Sequence, residues 1–210
     1  MYSFFTNTVN TGLLNQNSDH FEFGVKIPFS SNRYGSVNFF RIDTKNEIFY
    51  NSLSYANMNM DGLTRREGIE ISFSNKFDWV ALKGSYTYME AKIKDGSFAG
   101  KDIPDVPRHK ATAEASFNPA RDLTLNVSGI YIGERPFISD FSKSFSYQEQ
   151  YIVLNTKLKY RWKKTAAFLD ISNITNKEYS EYGVIGSFPA QKAYYPSNEI
   201  NFLAGVSTDF

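Results

Sequence analysis

The residues best suited to chemistry lie in the stretch "DIPDVPRHK" (102–110), where two carboxylates precede a histidine. Asp102, Asp105 and His109 are residue types used in general acid–base catalysis, in which a proton moves to or from a reacting group. The sequence offers no Ser/His/Asp grouping and no nucleophile elbow to accompany them. The stretch leads from a loop into a strand, so we interpret the three side chains as solvated and predict that the protein is not an enzyme.

Metal and thiol chemistry have few candidate residues. The 210 residues include no cysteine and two histidines, His20 and His109, which are far apart in sequence. Disulfides and thiolate ligands are therefore excluded, and we predict no metal site and no cofactor. The 23 basic and 22 acidic residues give a net charge of +1. This balance provides no general electrostatic attraction to nucleic acid, so we predict no nucleic-acid partner.

The elements that must position the side chains are β-strands. Apolar and polar residues alternate through nine segments, and a period of two is typical of a strand with two different faces. Segment 151–162 has Ile152 and Leu154 on one face, with Lys157 and Lys159 on the other. We predict strands at 19–28, 34–44, 63–74, 79–92, 109–117, 123–134, 151–162, 165–174 and from Asn201 onward.

The connections between these strands alternate between short and long. Four are short turns, and four are loops at roughly 45–62, 93–108, 135–150 and 175–199. In an up-and-down antiparallel sheet, alternate connections lie at the same edge, so one edge carries the turns and the other the loops. This asymmetry is typical of outer-membrane barrels. The strands exceed the usual soluble length of about 5–6 residues and suit the roughly 9–11 residues that span a membrane.

Aromatic side chains are concentrated beside the short turns. Phe77, Trp79, Phe117 and Trp162 lie there, and they include both tryptophans of the chain. Rings of this kind collect at the membrane–water interface. Strand propensity would explain the number of aromatic residues but not their position. We therefore predict that these four residues form an aromatic girdle in contact with outer-membrane lipid.

Five stretches of the chain carry motifs of one family. They are "HFEFGVK", "RREGIEISF", "DVPRHKATAEASF", "FLDISNITNKEY" and "YYPSNEINFLAGVSTDF". Together and in this order, they resemble the C-terminal part of the barrel of TonB-dependent outer-membrane receptors, over residues 19–210. Ile174 and Asn176 depart from the Asn-Leu-x-Asp-Lys-x-Tyr pattern of the family.

The resemblance implies an all-β fold, an antiparallel up-and-down transmembrane β-barrel segment of about nine strands. It would be part of a larger barrel of about 22 strands, whose lumen holds a plug domain. Residues 19–210 would form the C-terminal part of the barrel, and residues 1–18 an external loop or disordered start. No plug and no signal peptide are apparent. We therefore predict a fragment of a longer receptor in the outer membrane of a Gram-negative bacterium.

The resemblance also implies a role for the closing strand. In this family the last strand is a signal for the barrel-assembly machinery, with a terminal aromatic residue preceded by apolar residues at alternate positions. Phe202, Ala204, Val206 and Phe210 fit this pattern, whereas Thr208 departs from it. We predict that the four matching residues form the assembly signal.

The function implied by the resemblance is uptake of a scarce solute, and we predict a ferric siderophore or other iron source. Energy would come from the TonB complex, acting through the plug. In this family the ligand meets the external loops, where Tyr and Phe provide stacking area and Arg grips carboxylates. For each residue, packing between loops is the alternative role. The candidate solute contacts are Arg135, Phe137, Phe141, Tyr147, Tyr182, Phe188, Tyr194 and Tyr195.

Two other architectures remain open at this point. An independent small outer-membrane barrel, acting as a pore or adhesin, would need an even number of strands. A soluble all-β binding module would need a polar exterior, and the aromatic residues along one edge argue against it.

Overall fold

The computed structural model describes residues 12–186 and 189–209, where all regular structure is β-strand. Within this part of the chain, no helix is long and apolar enough to cross a membrane. Most of the predicted external start, residues 1–18, lies outside the described residues. The strands are β1 (Asn17–Ser30), β2 (Arg33–Lys45), β3 (Ile48–Asn51), β4 (Ala56–Asn59), β5 (Leu63–Lys76), β6 (Val80–Ile93), β7 (His109–Ala120), β8 (Leu123–Ile132), β9 (Tyr151–Trp162), β10 (Thr165–Ser172), β11 (Ser180–Ile185), β12 (Lys192–Pro196) and β13 (Asn201–Thr208).

Nine of the strands form one antiparallel sheet in the order β1-β2-β5-β6-β7-β8-β9-β10-β13. Neighbours in the sheet are also consecutive among these nine strands, so the predicted up-and-down arrangement is confirmed. The other four strands form two hairpins, β3–β4 and β11–β12, inside long connections. The sequence did not predict these hairpins, because strands of 4 to 6 residues are too short to establish an alternation.

The sheet does not close into a barrel by itself. Within the described residues, β1 and β13 each pair with a single neighbour and not with each other. In a bilayer, every backbone N–H and C=O needs a partner, so a spanning sheet cannot leave such edges open. The arrangement fits a segment of a larger barrel and disfavours an independent small barrel.

One face of the sheet, called the outer face, is apolar. Directly opposite residues of an antiparallel pair share a face, and the register aligns Val37, Ile71 and Tyr86 in one row. This face is uncovered: the exposed fractions of Phe23 and Val206, near opposite sides of the sheet, are 70% and 73%. A soluble sandwich would bury such a face against a second sheet, so the structure does not fit a soluble binding module.

The opposite face, called the inner face, is more polar. The register places Glu70, Thr87 and Lys110 side by side on three neighbouring strands. Further along the sheet, Lys157 Nζ lies 3.0 Å from Asp170 Oδ2 on this face. Charged residues here therefore form contacts with one another across strands.

The two edges of the sheet differ in the way that the sequence predicted. The edge with the tight turns at 31–32, 77–79, 121–122 and 163–164 is called the turn edge. The opposite edge, with the long connections at 46–62, 94–108, 133–150 and 173–200, is called the loop edge.

The main hydrophobic cluster lies at the loop edge, where the end of β6 meets the long connections. It joins Met60, the end of β6 at Ala91 and Ile93, and Ile103 and Phe141 from two further connections. Burial of apolar surface stabilises such a cluster by about 25 cal/mol per Å². The long connections are therefore held to one another by a core of their own.

Candidate functional site

The long connections pack into one layer at the loop edge, which we call the loop cap. In the 133–150 connection, the Ile138 N–H donates to Gly183 O at 2.8 Å, and Ile138 O accepts from the Ile185 N–H at 3.0 Å. Ser139 Oγ donates to Tyr50 O at 2.9 Å, which ties in the β3–β4 hairpin. Segments far apart in sequence thus form one continuous surface.

Arg135 is the centre of the polar contacts in the loop cap. Its Nε donates to Asp105 Oδ1 at 3.2 Å, and its Nη2 donates to the carbonyls of Ser180 at 3.0 Å and Glu181 at 2.7 Å. Gln148 Nε2 donates to the same Asp105 oxygen at 3.0 Å. One guanidinium therefore joins the 94–108 connection, its own connection and strand β11.

Three of the predicted solute contacts are enclosed within the loop cap. The exposed fractions of Arg135, Phe137 and Phe141 are 3%, 0% and 7%. Direct contact between these side chains and a solute does not fit their burial, because neighbouring loops already surround them. For these three residues the alternative role, packing between loops, describes their environment. Phe188, from the same predicted set, lies outside the described residues.

The Arg135 contacts leave two polar atoms unused. Arg135 Nη1 and Gln148 Oε1 are buried and have no hydrogen-bond partner among the described residues. Burial raises the pKa of Asp105, and this effect exceeds the opposing influence of the hydrogen bond from Gln148 and the charge of Arg135. The contacts around Arg135 therefore bring several poorly solvated polar groups together in the interior of the loop cap.

Asp102 is the centre of a second polar cluster. Its carboxylate oxygens lie 2.5 Å from Lys92 Nζ, 3.5 Å from Arg108 Nη2 and 3.4 Å from Lys143 Nζ, and Tyr147 Oη donates to it at 2.6 Å. Burial alone would raise the pKa of Asp102. The hydrogen bonds from Lys92 and Tyr147 outweigh burial and hold the pKa well below its usual range. Tyr147, a predicted solute contact, thus already has a carboxylate partner.

The three residues considered for acid–base chemistry do not meet. Asp102 and Asp105 belong to separate clusters. His109 Nδ1 lies 2.7 Å from Tyr86 Oη, and its ring centroid lies 5.3 Å from that of Tyr88. Among the described residues there is also no group of three or more His, Asp or Glu side chains that could hold a metal ion.

A turn at the end of β10 positions the last long connection. Asn173, with φ of 52°, donates from Nδ2 to the carbonyls of Lys177 at 2.9 Å and Asn198 at 3.1 Å. Its Oδ1 accepts from the Lys177 N–H at 2.9 Å. Asn176 Oδ1 accepts from the Ile200 N–H at 2.9 Å. Asn176, a departure from the family pattern, therefore provides an acceptor oxygen that closes the base of the connection.

An open crevice lined by tyrosines lies between the end of the 133–150 connection, at residues 148–150, and the segments around the base of the β11–β12 hairpin. Tyr151 and Tyr179 line it, with ring centroids 4.6 Å apart, and the cavity volume is about 420 Å³. Tyr194 lines the same crevice and contacts the buried Phe137 ring edge to face, with centroids 5.3 Å apart. Sequence analysis missed Tyr151 and Tyr179, because one begins a strand and the other lies in a family motif.

A second crevice shares Tyr151 and Tyr179 with the first and has a volume of about 650 Å³. Tyr182 and Tyr195, which are opposite each other across the hairpin, also line it, and both rings are exposed. It continues onto the inner face of the sheet, where Asn155 lines it. Of the predicted contacts, Tyr194 thus lines the first space, and Tyr182 and Tyr195 line the second. We call the two adjacent spaces, which share Tyr151 and Tyr179, the tyrosine crevice.

The predicted girdle residues lie together at the turn edge. Trp79 and Phe117 are stacked with ring centroids 6.2 Å apart. Phe77, Trp79 and Trp162 are all exposed. The structure thus gathers these rings in a band beside the tight turns.

The closing strand lies at one side of the sheet with its apolar residues on the outer face. Phe202, Ala204 and Val206 are opposite Ile171, Leu169 and Ala167 of β10. Phe210, the last member of the predicted assembly signal, lies outside the described residues.

A family model described as TonB dependent receptor-like, beta-barrel matches residues 1–174. The search among curated proteins found no match.

Several solved structures share the fold. The ferric-catecholate import receptor Fiu from E. coli K12, in its closed form, is 25% identical with a TM-score of 0.72, and the match covers 93% of this chain and 28% of that one. The ferric enterobactin receptor PfeA from Pseudomonas aeruginosa, as a G324V mutant, is 18% identical with a TM-score of 0.74, covering 93% and 31%. The copper transporter OprC is 13% identical with a TM-score of 0.72, also covering 93% and 31%. The chain therefore spans less than a third of the length of these proteins.

Proposed function

Since the chain belongs to the TonB-dependent receptor β-barrel family, we propose that it forms the C-terminal part of the barrel of an outer-membrane receptor for a ferric siderophore. The receptor would lie in the outer membrane of a Gram-negative bacterium, with the outer face of the sheet toward lipid. The TonB complex would act through a plug domain carried by another part of the receptor. The observation that carries the proposal is the tyrosine crevice, which connects the loop cap to the inner face.

The crevice has the properties of a solute-binding surface. Tyrosine rings offer rigid apolar area together with hydroxyl groups, a combination suited to organic chelates. Tyr182 and Tyr195 are exposed on the hairpin, while Arg135 holds β11 through two carbonyls. The buried residues of the predicted set would therefore support the site, and the exposed tyrosines would touch the solute.

The charge of the crevice favours one class of chelate. Four carboxylates and one ammonium group line its two parts, so the local charge of the lining is negative. We infer that a neutral or cationic chelate, such as a ferric trihydroxamate, is preferred over a highly anionic ferric catecholate. The charged lining residues are Glu149, Lys177, Glu178, Glu181 and Glu199.

The proposed membrane location also predicts roles for the girdle residues, the closing strand and one ion pair on the inner face. Phe77, Trp79, Phe117 and Trp162 would form the girdle at one membrane–water interface. Phe202, Ala204, Val206 and Phe210 would be read by the barrel-assembly machinery during insertion. Lys157 and Asp170, paired on the inner face, would lie along the wet lumen.

The test measures binding of ferric chelates to the receptor as it is isolated from outer membranes. We expect Y182A/Y195A to weaken ferric trihydroxamate binding about tenfold, at about 0.5–1.5 kcal/mol for each lost aromatic contact. The matched control is Y160A, which removes an exposed tyrosine on the outer face of β9. Unchanged affinity in Y182A/Y195A, or equal loss in Y160A, would contradict the site. Tighter binding of ferric catecholate would contradict the charge argument alone.

A further inference from the structure

We propose that the outer face of the turn edge binds the phosphate headgroups of anionic phospholipids, through cations that lie over the aromatic rings there. The proposal rests on the membrane location proposed above. It adds a headgroup class and the residues that recognise it.

Two cation–ring pairs carry the proposal. The Arg33 guanidinium carbon lies 4.4 Å from the centroid of the Phe77 ring, and Lys163 Nζ lies 5.3 Å from the centroid of the Trp162 ring. Arg33 is held in place because its Nε donates to Lys76 O at 3.2 Å. A cation over a ring face is attracted by the ring quadrupole while its remaining N–H donors stay available.

The sequence supports a general pattern at this edge. Each of the four tight turns contains or adjoins a cation, and outward-facing aromatic residues flank the turns. Long cationic side chains bury their apolar stems beside such rings and extend the charged head to the headgroup level. The turn-edge cations are Arg33, Lys76, Arg121, Lys163 and Lys164.

The two edges of the sheet differ in how many of their cations are paired with carboxylates. At the loop edge, carboxylates hold several of the cations: Asp102 contacts Lys92 and Lys143, and Asp105 contacts Arg135. Among the described residues, none of the turn-edge cations takes part in an ion pair. These cations are therefore open to an anionic partner outside the chain.

The geometry selects the phosphate of a lipid over a phosphate free in solution. Phe77, Trp79 and Trp162 are exposed on the same edge, and such rings insert at the level where headgroups meet acyl chains. A free phosphate ion would gain the charge contact and nothing from the rings. A phospholipid satisfies both, because its phosphate meets the cation while its acyl chains cover the ring and the outer face.

The experiment uses the two tryptophans of the chain as reporters, since both lie at this edge. The protein, in the form in which it is expressed, is reconstituted into vesicles containing brominated phosphatidylglycerol or brominated phosphatidylcholine, whose bromines quench nearby tryptophans. Subtracting the fluorescence of W79F/W162F isolates the signal of Trp79 and Trp162. At low ionic strength we expect anionic lipid to be preferred by about fivefold at each cation, the factor that corresponds to about 1 kcal/mol. The preference should fall as salt is added.

The decisive variant is R33Q/K163Q, which keeps the rings and removes two charges. We expect it to be quenched equally by both lipids, whereas K94Q/K101Q, at exposed lysines of the loop edge, retains the preference. Equal quenching in the unaltered protein, or a preference that survives in R33Q/K163Q, would overturn the proposal. If R33Q/K163Q fails to insert, the neutral lipid will also no longer quench its tryptophans. In that case the lipid preference is measured on the two single variants, R33Q and K163Q.

Two outcomes distinguish failure of this inference from failure of the proposed function. If neither lipid quenches the tryptophans of the unaltered protein, the outer face is not in a membrane, and the receptor proposal fails together with this one. If both lipids quench equally, the protein is inserted as proposed and only the headgroup recognition is wrong.

Discussion

Arg135 Nε lies 3.2 Å from Asp105 Oδ1, and this ion pair is built around a guanidinium that is 3% exposed. The same guanidinium donates to two carbonyls of β11. The pair therefore couples the 94–108 connection to the hairpin that bears the exposed tyrosines. A solute seated on that hairpin would therefore be linked through Arg135 to the 94–108 and 133–150 connections.

Removal of one partner of this pair is expected to loosen the hairpin. R135A should destabilise the loop cap by about 2–3 kcal/mol, because it leaves the partly buried Asp105 carboxylate without its cation and two carbonyls of β11 without a donor. The measurement is hydrogen exchange of the backbone N–H groups of β11 in the isolated receptor. The double variant R135M/D105L, which removes both charges, should lose less of this protection than R135A does. Equal protection in R135A and the unaltered protein would contradict this role.

Acidification is expected to open the loop cap through Asp102. A carboxylate whose pKa is lowered in the folded state stabilises that state above its usual pKa of 3.8, and the stability is lost as the pH falls through the lowered value. The pKa of Asp105 is raised from 3.8, so its effect on the stability of the loop cap has the opposite sign. The stability that it contributes is present below pH 3.8 and is lost as the pH rises through the raised pKa. We expect protection of the 94–108 and 133–150 connections to fall below about pH 4.

The matched variants for this pH dependence are D102N and D78N. D102N should show lower protection at neutral pH and little further loss on acidification, because the titrating group is absent. D78N alters an exposed carboxylate at the turn edge and should behave like the unaltered protein. A full acid response in D102N would assign the effect to other groups.

Phe141 is expected to hold the core of the loop cap. Its ring lies 4.7 Å from that of Phe49 and 4.9 Å from that of Phe98, centroid to centroid. F141A should cost about 3–5 kcal/mol through lost burial and the cavity left behind, measured as earlier proteolysis of the long connections. L53A, at an exposed residue of the same cap, should have little effect. Equal proteolysis in the two variants would exclude a specific role for Phe141.

Gly96 is expected to be irreplaceable where two connections meet. A Cβ atom at this position would lie 1.7 Å from Asp61 O, whereas at Gly100 it would meet nothing within 4 Å. Both glycines have a φ of 79°, so G96A and G100A share the backbone strain and differ in the clash. We expect G96A, but not G100A, to expose the 46–62 and 94–108 connections to limited proteolysis. Similar cleavage of both variants would show that strain alone matters.

Asn173 is expected to position the last connection through both its backbone and its side chain. N173A should destabilise this connection by about 4 kcal/mol, from three hydrogen bonds at about 1 kcal/mol each and a left-handed conformation that costs about 1 kcal/mol. N173G should recover the backbone part only. Hydrogen exchange at Lys177 and Ile200 measures the loss, and full protection in N173G would show that the side chain contributes nothing.

The sequence specified the sheet because the relevant signal is local. A strand alternates between its faces every two residues, so ten residues such as those around Val153 are enough to reveal both the strand and its two sides. The turn edge followed in the same way, from short connections with Phe77, Trp79 and Trp162 beside them. The hairpins β3–β4 and β11–β12 escaped detection because each is too short to show this period.

The loop cap depended on tertiary structure. Arg135 and Ser180 are 45 residues apart in sequence, and nothing periodic in either connection indicates that they meet. Residue type alone made Arg135, Phe137 and Phe141 look like solute contacts, because the same side chains suit an open surface and a packed interior. Only the arrangement of four long connections above one sheet buries these three and leaves Tyr182, Tyr194 and Tyr195 open. Strand identity is determined by neighbours along the chain, whereas exposure in a loop is determined by segments that the fold brings from a distance.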